Sequence, residues 1–195
     1  LAREYFALDE DIPVTTYDGR AYLQASDETF DVIMVDAYQD ITIPFQMSSV
    51  EFFRMVREHL REGGVMVVNM NMRSGEKGSI NEYLADTIAT VFPCVYTVDV
   101  PGSTNRELFA SDRNFDRESF AQYLDAQPRE DLRELLARAA DSMVRYEGGA
   151  YLLTDDRAPV ELLGMRAIDS IIREEIGVYK ELFRREGIRG LLRGL

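Results

Sequence analysis

A short, uninterrupted apolar run followed by carboxylates constrains the fold of this chain more than any other feature. Residues 32–35 have the sequence Val-Ile-Met-Val, which is rich in β-branched side chains and too short for a helix. This pattern predicts a strand buried on both faces of a sheet. Asp36 ends the run, at the edge where open parallel α/β sheets bind ligands. Asp36 is therefore a candidate ligand-binding residue, and an exposed loop position or a helix cap is the equally weighted alternative.

Further strands and helices alternate around this segment. The segment Val-Thr-Thr-Tyr at 14–17 and the apolar run at 65–70 predict two more strands, and the spacing between strands matches the strand–helix–strand unit of a parallel sheet. Ser48 followed by Glu51 predicts a capping box at the start of a helix. Together these elements predict an α/β fold with a mostly parallel sheet.

The second half of the chain shows a different pattern of predicted secondary structure. Runs at 95–100 and 107–111 predict two strands joined by a Pro-Gly turn, which would form an antiparallel end of the sheet. From residue 115 onward the pattern is helical, with glycines breaking the last stretch.

Charge and composition exclude several classes of function. The formal net charge of −13 disfavours a nucleic-acid partner and favours a cationic ligand, although excess acid can also serve solubility alone. Residues 180–195 carry five basic and two acidic side chains, so the remainder is still more acidic. The chain has no apolar run long enough to cross a bilayer, no visible leader and a single cysteine, Cys94. We therefore expect a cytoplasmic protein without membrane contact.

Few other residues are candidates for a catalytic, ligand-binding or metal-binding role. Asp18 and Gly19 close the predicted first strand, and either hydrogen bonding to a ligand or capping of the next helix explains them equally well. Asp155 could face a cleft, although a place at the start of the following helix is the favoured interpretation. With one histidine, His59, and one cysteine, the sequence does not support a zinc site, and no metal is expected.

Several local motifs together resemble the spermidine synthase-like proteins. The motifs that carry the resemblance are Asp18-Gly19-Arg20, the segment 30–38, Ile43-Pro44, Phe52-Phe53, Gly63-Gly64-Val65 and Leu153-Thr154-Asp155-Asp156-Arg157-Ala158-Pro159. These proteins share the Rossmann-like fold of the S-adenosylmethionine-dependent methyltransferases. The resemblance covers residues 1–165 and leaves 166–195 as a C-terminal helical tail.

The resemblance implies roles for particular residues. Asp36 matches the catalytic base of the aminopropyltransferases, and Asp18, with Gly19, matches the position that binds the nucleoside. Tyr38, Gln39 and Asp40 would contact the amine substrate. In the family the second aspartate comes three residues after the base, whereas Asp40 comes four residues after Asp36.

The resemblance also predicts what the chain does. The implied reaction is aminopropyl transfer from decarboxylated S-adenosylmethionine to a small cationic amine. Methyl transfer from S-adenosylmethionine on the same scaffold is one alternative, and a non-catalytic module that forms a homo-oligomer is another. The family's glycine-rich first strand and turn have no counterpart here, so we expect a partial domain that lacks the first strands of the sheet and binds the nucleoside weakly by itself.

Overall fold

The computed structural model describes residues 2–38, 43–71, 76–114 and 117–193. These residues form an α/β fold whose helices and strands follow one another along the chain. In order they are α1 (Ala2–Tyr5), α2 (Gly19–Ala25), β1 (Phe30–Val35), a 3₁₀ turn (Phe45–Met47), α3 (Val50–Glu58), β2 (Leu60–Met70), α4 (Ile80–Ala89), β3 (Cys94–Asp99), β4 (Arg106–Ser111), α5 (Arg117–Ala126), α6 (Glu130–Ser142), β5 (Met143–Arg145) and α7 (Val160–Arg193).

The five strands form one mixed sheet in the order β1-β2-β4-β3-β5. Only β1 and β2 pair in parallel, whereas β2–β4, β3–β4 and β3–β5 are antiparallel. The prediction of a mostly parallel sheet is therefore wrong. The cause is the β3–β4 hairpin, whose second strand pairs with β2 while β5 extends its outer side, so that antiparallel pairing dominates.

Strand β1 forms where the apolar run predicts it, but it is not buried on both faces. Val35 is buried, whereas Val32 and Met34, on the opposite face, are 53% and 72% exposed. Residues 14–17, predicted to be a strand, form no regular secondary structure, and Val14 and Tyr17 are exposed. Val32 and Met34 lie on a face of β1 that the described elements leave largely uncovered, and residues 14–17 pair with no described strand, so their backbone groups are left to water.

The hydrophobic core lies between one face of the sheet and the helices that pack on it. Helices α3 and α4 contact the sheet and each other, and α4 also contacts α7. Alternation along β2 places every second side chain in this core. The largest fully buried core side chains include Phe52, Phe53, Phe92, Met66, Met70, Leu84, Ile88, Leu108 and Leu153.

Serine caps begin the two helices that cover the sheet. The Ser49 hydroxyl accepts a hydrogen bond from the Phe52 N–H at 3.2 Å, so the cap of α3 lies one residue beyond the predicted Ser48. Ser48 instead donates its hydroxyl to the Phe45 carbonyl at 2.7 Å. Ser79 caps α4, because its hydroxyl accepts a hydrogen bond from the Glu82 N–H at 3.3 Å.

Helix α7 runs through the boundary proposed at residues 165/166 without a break there. Its helical angles are interrupted at Gly187, where φ is +64°. Across the described ranges, no helix combines the length and the apolar character needed to span a membrane.

Candidate active site

Asp36 lies immediately after β1, at the edge of the sheet where β2 also ends. Parallel pairing of β1 with β2 brings Val35 level with Val68, so Asp36 comes beside Asn69. The Asn69 side-chain amide donates to Asp36 Oδ1 at 3.1 Å. The Asp36 side chain is exposed, whereas Asn69 Oδ1 is buried and accepts no hydrogen bond from the described residues. Asn69 therefore fixes the orientation of a solvent-accessible carboxylate.

Tyr38 ties the ends of these two strands together. Its hydroxyl donates to the Asn69 carbonyl and accepts from the Asn71 N–H at 2.7 Å. Burial raises the pKa of the Tyr38 hydroxyl to about 12, against the lowering effect of the Asn71 N–H, and the negative charges of Asp36 and Glu107 add to the increase. Tyr38 therefore stays protonated at neutral pH and serves as a hydrogen-bonding anchor.

Glu107 is a further acidic residue at this edge, which the sequence interpretation did not select. In the antiparallel β2–β4 pairing Glu107 lies directly opposite Asn69, so the two side chains share a face. Desolvation raises the pKa of the Glu107 carboxyl, and the charge of Asp36 raises it further. Asp36, Asn69 and Glu107, together called the acidic edge, thus gather oxygen acceptors from three strand ends.

Only part of the acidic edge could have been predicted from the sequence. Asn69 is a polar residue near the end of a buried strand, and this position alone could have marked it. Glu107 could not have been found in this way, because its place depends on the register between β2 and β4, and that register is set by long-range pairing.

Asp18 and Gly19 lie at the start of α2. Asp18 caps this helix, because its Oδ1 accepts from the Ala21 N–H at 2.8 Å. A Cβ added to Gly19 would lie 3.3 Å from the Met47 methyl group, so little room is left for a side chain there. Within the described residues no hydrogen bond or ion pair joins Asp18 to Asp36. The capping role is present, and the nucleoside-binding role remains a prediction.

Asp155 belongs to a separate polar cluster. The Arg20 guanidinium donates to both carboxylate oxygens of Asp155, with N–O distances of 2.7 and 2.6 Å. The Ser49 hydroxyl donates to the same carboxylate at 2.5 Å, and the Asp155 N–H donates to Glu51 at 3.0 Å. The Arg20 hydrogen bonds hold the pKa of Asp155 below its usual range, and Ser49 lowers it further. This carboxylate connects α2, α3 and the loop before α7.

Two predicted substrate contacts, Gln39 and Asp40, lie outside the described residues. Asp36 and Tyr38 are brought together by their shared neighbour Asn69.

Over the described ranges, no three His, Cys, Asp or Glu side chains are grouped so that they could hold a metal ion.

Solved structures define the class of fold. Human methyltransferase-like protein 13, solved in complex with SAH, matches 72% of this chain and 65% of its own with a TM-score of 0.55 and 19% sequence identity. A probable spermidine synthase from Corynebacterium glutamicum ATCC 13032 matches 77% of this chain and 60% of its own with a TM-score of 0.50 and 22% identity. At this level of identity the likeness concerns the fold alone, which is the methyltransferase-like α/β class.

Sequence comparison then assigns the family within that class. The spermine/spermidine synthase domain matches residues 4–107, which is more than half of the chain. The chain belongs to this family. It is also 53% identical over 212 aligned positions to a probable polyamine aminopropyl transferase of Bifidobacterium longum (strain NCC 2705). That alignment covers all of this chain and 48% of the relative, so the chain spans about half the length of that relative.

Proposed function

We propose that the chain provides the amine-binding and proton-accepting side of an aminopropyl transfer reaction. The observation that carries the proposal is the acidic edge, where Asn69 holds Asp36 at 3.1 Å and Glu107 lies across the strand pair. The two carboxylates attract a cation and offer acceptors for its N–H groups. A primary ammonium has the matching charge and hydrogen-bond donors.

The chemistry requires a proton acceptor at this place. An alkylamine has a pKa near that of lysine, about 10.4, so it arrives protonated at neutral pH. The ammonium gives up one proton, and the freed nitrogen lone pair attacks the carbon next to the sulfonium of decarboxylated S-adenosylmethionine. The new N–C bond replaces the C–S bond, whose electron pair stays on sulfur in the released methylthioadenosine. Asp36, exposed and oriented by Asn69, is the proposed proton acceptor.

Glu107 and Tyr38 are proposed to position the amine and do not take its proton. Glu107 adds a second acceptor on the same face, and the strand-to-strand hydrogen bonds of Tyr38 keep Asp36 and Asn69 together. Gln39 and Asp40 complete the substrate contacts in this proposal, on the basis of the family resemblance alone.

The proposed aminopropyl donor is decarboxylated S-adenosylmethionine, which members of this family use as co-substrate. Asp18 is the proposed contact to the nucleoside. Its capping bond uses Oδ1, so Oδ2 can accept a hydrogen bond from a ligand amine or hydroxyl. Gly19 is proposed to contact the nucleoside beside Asp18, on the basis of the family resemblance alone.

Binding of a diamine tests the acceptor side directly. Putrescine titrated into the ¹⁵N-labelled chain should shift the amide signals of Asn69 and Glu107, whereas 1,4-butanediol, which lacks the charge, should not. Asp36→Asn and Glu107→Gln should each weaken putrescine binding about three- to tenfold, the effect of losing one nearby charge. Asp169→Asn, on the exposed surface of α7, is the matched control. Equal putrescine affinity in wild type, Asp36→Asn and Glu107→Gln would contradict the proposal.

Exposure of β1 favours a second candidate, a module that pairs with another copy. β1 is an end strand of the described sheet, and Val32 and Met34 are exposed on it. Such strands and apolar surfaces favour association. Light scattering at increasing concentration separates the candidates: a dimer that Met34→Lys dissociates supports self-association, and a monomer throughout contradicts it.

A further inference from the structure

A concave site lies at the opposite end of the sheet from the acidic edge. It is a pocket of about 650 Å³ at the beginning of β2 and the end of β4. Gly64 and Asn69 are five residues apart on β2, which corresponds to about 17 Å along a strand. The pocket is therefore separate from the acidic edge.

Arginines dominate the walls of this pocket. Arg57, Arg61 and Arg113 line it, together with two carboxylates, Glu62 and Asp112. Three arginines against two carboxylates give the lining a net charge of +1, whereas the whole chain carries −13. We call Arg57, Arg61 and Arg113, with the space between them, the arginine pocket.

Each arginine keeps donors available for a ligand. Arg57 Nε pairs with Asp112 at 2.8 Å and its Nη1 donates to the Val91 carbonyl at 3.0 Å, while Arg61 Nη1 pairs with Asp31 at 2.7 Å. A guanidinium carries five N–H donors, so these bonds leave most of them unused. The Arg113 side chain forms no ion pair with any described residue.

Glycines and apolar side chains shape the floor. The pairing of β1 and β2 is irregular between Phe30 and Val32, where β2 bulges through Gly63 and Gly64. Gly63 has φ +75°, and a Cβ on Gly64 would lie 2.9 Å from the Arg61 carbonyl oxygen, so neither position accepts another residue without strain. Phe92, 2% exposed, contributes an apolar wall. The bulge thus creates a hollow with charged walls and an apolar base.

We propose that the arginine pocket binds a small organic oxyanion, a molecule with one carboxylate or phosphate group attached to an apolar body. The planar guanidinium fork matches the geometry of both oxyanions. The volume falls within the range of about 300–1,000 Å³ that small-molecule sites occupy. The apolar part of the ligand would lie against Leu60, which lines the pocket and is only partly buried, and its charged group would meet Arg113.

Phenyl phosphate is a suitable probe, because it combines a ring with an oxyanion. In an NMR titration of the full chain, saturable shifts are expected at the amides of Gly63 and Gly64 and not at Gly102, which lies in the turn between β3 and β4. Benzoate should bind at the same place if the carboxylate suffices, and benzyl alcohol, which lacks the charge, should not. Higher NaCl should weaken binding by screening.

Arginine variants decide the outcome. Arg113→Gln should weaken phenyl phosphate binding about tenfold, and Arg61→Gln should weaken it in the same direction. Arg133→Gln, on the exposed surface of α6, is the matched control and should bind as wild type does. The proposal is overturned if Arg113→Gln binds as tightly as wild type, if Arg133→Gln weakens binding equally, or if Gly63 and Gly64 show no saturable shift. Putrescine binding at the acidic edge should be unchanged in Arg113→Gln.

Discussion

Arg20 and Asp155, which are 135 residues apart in the sequence, form a bidentate ion pair with N–O distances of 2.7 and 2.6 Å. The pair joins the start of α2 to the loop before α7, and Ser49 at the cap of α3 donates to the same carboxylate. One carboxylate therefore links three segments that are distant in the sequence.

Replacing Asp155 should measurably destabilise the fold. Asp155→Ala removes the acceptor for Arg20 and Ser49, and we expect a loss of about 1–2 kcal/mol in the free energy of unfolding, measured with urea. Because the pKa of Asp155 is lowered in the folded state, the stabilisation is present above the unfolded-state pKa and is lost as the pH falls through the folded-state pKa. The loss caused by Asp155→Ala should therefore shrink in acid.

A second arginine–aspartate pair provides the control for this prediction. Arg129 and Asp131 also form two contacts, but they are two residues apart and exposed. Asp131→Ala should leave the unfolding free energy nearly unchanged, because an exposed local pair contributes little. Equal effects of Asp155→Ala and Asp131→Ala would contradict the structural role of the long-range pair.

His59 should act as a pH-sensitive stabilising residue. Its Nδ1 faces the Met55 carbonyl at 2.8 Å and its Nε2 faces the Ser26 carbonyl at 2.9 Å, so only the imidazolium donates to both. The Met55 carbonyl raises the pKa of His59 above 6.5, and the Ser26 carbonyl adds to the increase. This stabilisation is complete below the unfolded-state pKa and is lost as the pH rises through the folded-state pKa.

The chain contains one histidine, so its ring proton can be followed alone by NMR. The titration should give a pKa above 6.5, and thermal melts between about pH 5 and 8 should show a stability difference between wild type and His59→Gln that is largest in acid. A His59 pKa at or below 6.5, or a difference that grows with pH, would contradict this assignment.

Asp86 should be among the most sensitive positions for stability. The carboxylate is 1% exposed and accepts from the Tyr146 hydroxyl and from the Tyr151 N–H at 2.9 Å. Asp86→Ala leaves both donors without their acceptor, so we expect a loss of about 2–4 kcal/mol in urea unfolding. Asp169→Ala, an exposed aspartate on α7, should have little effect. A small effect of Asp86→Ala would mean that Tyr146 and Tyr151 find other partners.

Local pattern predicted the elements better than it predicted their arrangement. The apolar run at 32–35 lies in β1, and the capping box predicted at Ser48 lies one residue from the observed cap, Ser49, because such signals involve residues close in sequence. The strand predicted at 14–17 did not form, and Val32 and Met34 are exposed, because burial depends on which neighbours cover a strand.

The same distinction applies to the candidate site. Asp36 is a candidate because it directly follows a strand, a local feature. Its neighbour Glu107 was missed because it reaches the acidic edge only through the antiparallel β2–β4 register, which joins residues about forty positions apart. The position of Asp155 opposite Arg20 likewise depends on tertiary contact, so the favoured prediction of a helix-start role missed its partner.

Identification of the nucleoside product tests the central claim most directly. The chain is incubated with putrescine and either decarboxylated S-adenosylmethionine or S-adenosylmethionine, and the released nucleoside is identified by mass spectrometry. We expect methylthioadenosine from the decarboxylated donor, formed about a hundredfold more slowly by Asp36→Asn and at the wild-type rate by Asp169→Asn. S-adenosylhomocysteine as the only product, or an unchanged rate in Asp36→Asn, would contradict aminopropyl transfer at the acidic edge.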